Sequence, residues 1–200
     1  MIGGNTNGEA RRTRWAHRDL LPGGAAAVRG SCNFLAIHPS IIVILGVAGA
    51  GKTIVGTRIS NELGWPFIDA DDLQSPYAVR RLTSGRRLAD QERMRWLGRV
   101  RGTIADLTSS GRPGIIAFPG LRQADRESVM GRDSRIGLVY LRVPLGVLDA
   151  RVRSREHRFF NTNLLTLEFA ALEEPTNALI LEVGPSPGQM VARVRDAFNL

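Results

Sequence analysis

The chain has 200 residues, 43% of them hydrophobic, which is enough for one buried core and argues for one domain with appendages. No stretch approaches the roughly 20 consecutive apolar residues of a membrane span, so a soluble protein with no membrane partner is expected. The formal charge of +8 comes from arginines scattered among acidic residues rather than clustered, which argues against nucleic acid as a partner, and the single cysteine, Cys32, excludes an intramolecular disulfide and suits a cytoplasmic chain.

Residues 1–40 differ in kind from the rest. Met1 to Ala10 is rich in Gly and Asn, Arg11 to Arg18 is basic, and Pro22 to Gly30 is made of small residues without periodicity. A disordered extension is expected over 1–40 and a catalytic domain over 41–200. Arg11-Arg12 is not followed by the apolar core of a secretory signal; an organellar transit peptide and an upstream extension from a misplaced start are the two readings, and the second is preferred.

The domain opens on Ile41 to Leu45, a continuous aliphatic run rich in β-branched residues, as a parallel strand buried on both faces requires. Gly46-Val47-Ala48-Gly49-Ala50-Gly51-Lys52-Thr53 follows and fits the phosphate-binding pattern G-x-x-x-x-G-K-[ST] at every fixed position. Lys52 is the only lysine in the chain. A compact ammonium on a flexible stem can follow phosphate oxygens inside a closed loop, whereas a planar guanidinium is too wide. Ile54, Val55, Ile59 and Leu63 then have helical spacing and form an apolar stripe that ends near Gly64. In this order of strand, loop and helix, Gly46, Gly49, Ala50, Gly51, Lys52 and Thr53 form a nucleotide-phosphate site, and the Thr53 hydroxyl is a Mg²⁺ ligand.

Trp65 to Ile68 reads as a second strand running into Asp69-Ala70-Asp71-Asp72, carboxylates at the edge where open α/β sheets bind ligands. Asp90 is the expected N-cap of a long helix through Met94, Leu97, Val100, Ile104 and Leu107. Strands are expected at Ile115–Phe118, Gly137–Leu141 and Ala178–Val183, with helices at Arg122–Met130, Leu145–Arg153 and Gly188–Phe198. The alternation predicts an α/β fold, a parallel five-stranded sheet with helices on both faces. The polar stretch Arg155 to Asn163, with Arg151, Arg153, Arg155 and Arg158 in or before it, reads as a lid bringing positive charge to a transferring phosphoryl group; a solvated helix end is the alternative.

The order of motifs from Ile41 to the C-terminus resembles the P-loop gluconate kinases. Gly46 to Thr53 resembles their loop "GVSGSGKS", and Phe67-Ile68-Asp69-Ala70-Asp71-Asp72-Leu73 resembles "FIDGDxLH". Gly85 to Leu97 resembles "GxPLxDxDRxPWL", and Phe159-Phe160 with Leu164-Leu165, Phe169, Leu172-Glu173 and Pro175 resembles their lid and following helix. The resemblance implies a P-loop NTPase fold of the nucleoside-monophosphate-kinase type with a lid, ATP with Mg²⁺ as donor, and a small polyhydroxy acid, gluconate, as acceptor. It is also compatible with a homodimer. The departures fall on the acceptor side: the family's histidine after the second strand is Gln74, "CSALK" reads Phe118-Pro119-Gly120-Leu121-Arg122, the lid histidine aligns with Arg158 beside His157, and "SQ" becomes Leu167-Glu168.

On this reading Lys52 and the loop N–H groups hold the phosphates with Arg151, and Thr53 with Asp69 holds Mg²⁺. Asp71 takes the proton of the acceptor hydroxyl. Arg155, with Arg151 as the other candidate, stabilises charge from the lid, and Gln74, Arg93 and Arg122 contact the acceptor, the guanidinium forks matching a carboxylate. A shikimate-kinase-like enzyme, a kinase of a cyclitol or antibiotic, and a nucleotide-binding protein without catalysis are the competing readings. Retention of Lys52, Thr53, Asp69 and Asp71 together argues against the last.

Overall fold

The computed structural model describes residues 38–144, 146–148, 162–182, 184 and 186–200, without the side chains of 162–164. Strand β1 (Ile41–Leu45) is followed by α1 (Lys52–Leu63), β2 (Phe67–Asp69), a 3₁₀ turn (Ala70–Leu73), α2 (Pro76–Thr83) and α3 (Asp90–Ser109). Then come β3 (Gly114–Ala117), α4 (Gln123–Met130), β4 (Ile136–Arg142), α5 (Thr162–Ala171), β5 (Leu179–Glu182) and α6 (Pro187–Phe198). The strands form one five-stranded sheet in the order β2-β3-β1-β4-β5, and every pair is parallel.

All five residues of β1 are buried, as its unbroken aliphatic run requires in the centre of a sheet covered on both sides. Alternate side chains enter different cores. Ile42 and Ile44 join Val55 and Ile59 of α1 and Val191, Val194 and Phe198 of α6; Ile41, Val43 and Leu45 join Trp96, Leu97, Val100 and Ile104 of α3 with Val129 of α4. The sheet therefore has α1 and α6 on one face and α3 and α4 on the other. Gly56 makes room for the Phe67 ring of β2: a Cβ there would stand 2.3 Å from its Cε2, so a side chain would require the ring or the helix to shift.

Several local expectations shift. Ile54 is 45% exposed and Met94 58% exposed, so neither belongs to its helix's buried stripe; the buried faces are Val55, Gly56 and Ile59 in α1, and Trp96, Leu97, Val100, Ile104 and Leu107 in α3. Ala89 rather than Asp90 is the N-cap of α3, and Asp90 places its charge in the first turn, where the helix dipole favours an anion. Helix α2 is an element the apolar periodicity misses; the Ser75 hydroxyl caps it by accepting from the Ala78 N–H at 3.1 Å, with Pro76 opening the first turn. The sheet also begins before Ile41, because the Ser40 carbonyl accepts from the Gly114 N–H at 3.0 Å. Residues 1–37 and most of the expected 145–153 helix lie outside the described residues.

Candidate active site

At the carboxyl end of β1 the chain turns through Gly46, whose φ of 151° favours glycine. A Cβ there would meet the Ala50 Cβ at 3.0 Å and the Leu141 carbonyl at 3.1 Å, so only glycine lets the loop fold against β4. The loop closes when the Ala50 N–H donates to the Val47 carbonyl at 3.1 Å. Helix α1 then starts from Gly51, at φ 97° and with no side-chain cap. Its first N–H groups are left to an outside acceptor, the arrangement that binds phosphate. Lys52 Nζ donates to the carbonyls of Gly46 at 2.9 Å and Val47 at 3.1 Å, which holds the ammonium against the loop it serves.

The first residues of the D-A-D-D turn meet this loop. Thr53 Oγ1 donates to Asp69 Oδ2 at 2.9 Å, and Asp69 Oδ1 accepts from the Asp71 N–H at 3.1 Å. Asp69 therefore links the phosphate loop to the turn and fixes the backbone that carries Asp71. Behind it, the buried Trp96 Nε1–H donates to the Ala70 carbonyl at 2.7 Å, while the Trp96 ring lies 5.5 Å from that of Phe118. Burial pushes the Asp71 carboxyl up to about 6; the Lys52 ammonium pulls it down, and Asp69, Glu168 and Asp72 push it further up.

Asp71 opens onto a cavity of about 240 Å³. Gln74, Arg87, Arg93, Arg122, Asp125 and Glu168 supply most of its polar lining, and Phe118, Pro119 and leucines supply the apolar part. Arg93 Nη1 lies 2.5 and 2.6 Å from the two carboxylate oxygens of Asp125, so its charge is already matched inside the protein. Arg122 also lines the cavity, and its guanidinium has no hydrogen bond or ion pair among the described residues. The Gln74 side-chain carbonyl is buried without a hydrogen-bond partner among the described residues, an unmet acceptor in the cavity wall. Behind the wall, the buried Arg126 donates to the carbonyls of Gly120 at 2.7 Å and Leu121 at 3.1 Å; burial lowers its pKa, with Glu173 opposing most strongly.

Of the residues singled out in the sequence, Gly46, Gly49, Ala50, Gly51, Lys52, Thr53, Asp69, Asp71, Gln74, Arg93 and Arg122 fall on the loop, the turn or the cavity wall. Arg151 and Arg155, with the rest of the expected lid, lie outside the described residues. Two contributors were not assigned a role. Asp125 neutralises Arg93, and Glu168 on α5 brings Oε2 to 2.6 Å from the Ala48 N–H of the phosphate loop. The only sequence signal for Glu168 was that a carboxylate replaced an uncharged residue of the "SQ" pair.

A phosphate loop whose threonine bonds Asp69, next to a turn whose Asp71 lines a small polar cavity, is suited to moving a phosphoryl group onto a small hydroxyl-bearing molecule. Fold and site together define a P-loop phosphotransferase. A family model described as an AAA domain matches residues 41–174. The Gluconokinase of Gluconobacter oxydans is 31% identical over 141 residues, covering 70% of this chain and 79% of that protein. A sugar kinase from Janibacter has a TM-score of 0.73 at 26% identity, covering 80% of this chain and 95% of the other. A gluconokinase from Sinorhizobium meliloti has a TM-score of 0.71 at 26% identity, covering 81% and 93%. The chain belongs to the gluconokinase family.

Proposed function

We propose that this protein transfers the γ-phosphoryl group of ATP to the terminal hydroxyl of gluconate, giving 6-phosphogluconate. The observation that carries the reading is the place of Asp71. Its carboxyl stands at the junction of phosphate loop and acceptor cavity, in the field of Lys52, with a pKa raised to about 6. A base poised near the working pH can take the hydroxyl proton as the new O–P bond forms and the bond to the ADP leaving oxygen breaks.

The remaining roles are part of the same proposal. Lys52 leaves the Gly46 and Val47 carbonyls for the phosphates, while the N–H groups of Gly49 to Thr53 cradle them. Thr53 and Asp69 are adjacent hard oxygen donors, the kind of protein contribution Mg²⁺ takes when phosphates and water complete its shell. When bound, Mg²⁺ neutralises phosphate charge as it is redistributed. Arg122, rather than the paired Arg93, is the guanidinium available to the acceptor carboxylate, and Gln74 lies beside the acceptor hydroxyls. Arg155, with Arg151 as the other candidate, would add positive charge from the lid.

Use of ATP and of a central sugar acid suits the cytoplasm, and no helix among the described residues is long and apolar enough to cross a membrane. The test is ADP release with Mg²⁺ and gluconate, shikimate and a panel of cyclitols and other sugar acids. Saturable turnover with gluconate above the rest supports the proposal. Nucleotide binding without gluconate turnover refutes it.

A further inference from the structure

Glu168 sits at the meeting point of phosphate loop and acceptor cavity. Its Oε2 accepts from the Ala48 N–H at 2.6 Å across 120 residues of sequence, and the same side chain lines the cavity beside Asp71. Burial raises the pKa of Glu168, while the Ala48 N–H and the Lys52 ammonium favour its charged form. Its field also reaches Asp71. The loop side of the cavity thus carries two carboxylates, Asp71 and Glu168. Asp71 has an evident task in taking a proton. Glu168 has none in that step, since its near oxygen is engaged by the loop. A second carboxylate beside a site that must accept phosphates repels any further anion brought into the cavity.

Resting on the gluconate-kinase reading, we propose that Glu168 is a specificity-determining residue that keeps anionic groups of the acceptor away from the phosphate loop. It makes the loop side of the cavity selective for a neutral hydroxyl-bearing end and leaves Arg122 to take the carboxylate. Two like charges a few ångströms apart in a partly desolvated cleft repel strongly enough to change affinity by at least about tenfold. The same repulsion acts on the product, whose new phosphate monoester lies on the loop side once ADP has formed. Glu168 therefore also favours product release.

The test compares the wild type with Glu168→Gln and Glu168→Asp. Gln keeps a carbonyl oxygen that can accept from Ala48 but removes the charge, whereas Asp keeps the charge. The probes are glucarate, an aldarate with a carboxylate where gluconate has its terminal hydroxymethyl group, and 6-phosphogluconate, both as inhibitors against gluconate. The ratio of each Ki to the gluconate KM is expected to fall at least about tenfold in Glu168→Gln and to stay near the wild-type value in Glu168→Asp. A ratio unchanged in Glu168→Gln, or lowered equally in both variants, overturns the inference, because a merely structural role would not separate charge from shape. Absence of gluconate turnover in the wild type would instead refute the underlying function.

Discussion

Replacing Asp71 by Asn separates what the carboxylate does from what it costs. In the free protein burial holds the Asp71 carboxyl at about 6 against an ordinary 3.8, with Lys52 opposing and Asp69, Glu168 and Asp72 reinforcing the shift. At 1.36 kcal/mol per unit, a shift of this size is worth at most about 3 kcal/mol. The sign follows from proton binding. Below the ordinary value both folded and unfolded chains are protonated and no stability is lost. As pH rises towards about 6 the folded chain keeps a proton that the unfolded chain has released, so stability falls; above about 6 the whole cost is present. Asn cannot titrate, so the variant should gain on the wild type as pH rises, by about 2–3 kcal/mol near neutrality. For a chain of this size that is a rise in Tm of about 5–10 °C. The assay is thermal unfolding of nucleotide-free, chelator-treated protein at about pH 4.5 and about pH 7.5, with turnover measured at the higher pH. Turnover should drop by about 10²–10⁴ while Tm rises. An Asn variant with the same advantage over wild type at both pH values would refute the electrostatic account, and one that keeps turnover would refute Asp71 as the base.

Lys52→Ala should lose turnover by about 10²–10³ and, because Lys52 favours the charged forms of Asp71 and Glu168, should lose more stability against wild type near neutral pH than at about pH 4.5; ADP release and melting curves at the two pH values check both. Arg122→Met should raise the gluconate KM by about tenfold or more with kcat less affected, whereas Arg93→Met should mainly lower Tm by stranding Asp125; steady-state kinetics and calorimetry on the pair distinguish the two roles. Trp96→Phe removes the indole donor to Ala70 and should cost about 1–3 kcal/mol in denaturant unfolding, with a fall in kcat because the turn that carries Asp71 loses its anchor.

The parallel sheet was legible because its strands are short apolar runs between glycine-rich turns, and the phosphate loop because its glycines and lysine answer to one ligand geometry. What escaped was whatever depends on partners distant in sequence. Arg93 reads as an unpaired charge until Asp125, 32 residues on, is found against its Nη1. Helix α2 is only eight residues long and fully buries only Ala78, so its apolar stripe is too short to announce it, and its clearer signal was the Ser75-Pro76 start. Met94 and Ile54 have helical spacing yet face outward, because spacing defines a stripe but the neighbouring layer decides its edges.

Helix α5 shows why the acceptor side is harder to read than the nucleotide side. Glu168 holds the phosphate loop, and the neighbouring Leu167 carbonyl accepts from Arg87 at 3.2 Å. Just beyond the helix, Glu173 Oε2 accepts from the Gln123 N–H at the start of α4 at 2.6 Å, while its own N–H donates to the Leu121 carbonyl at 2.8 Å. One short segment thus ties together the phosphate loop, the α2–α3 connection and the wall after β3. The nucleotide side is a local structure that one contiguous motif specifies, but the acceptor cavity is closed by contacts between segments far apart in sequence. A substitution in α5 therefore bears on loop, wall and cavity at once, so a change at Glu168 isolates its charge only if the new side chain still accepts from the Ala48 N–H, as Gln can.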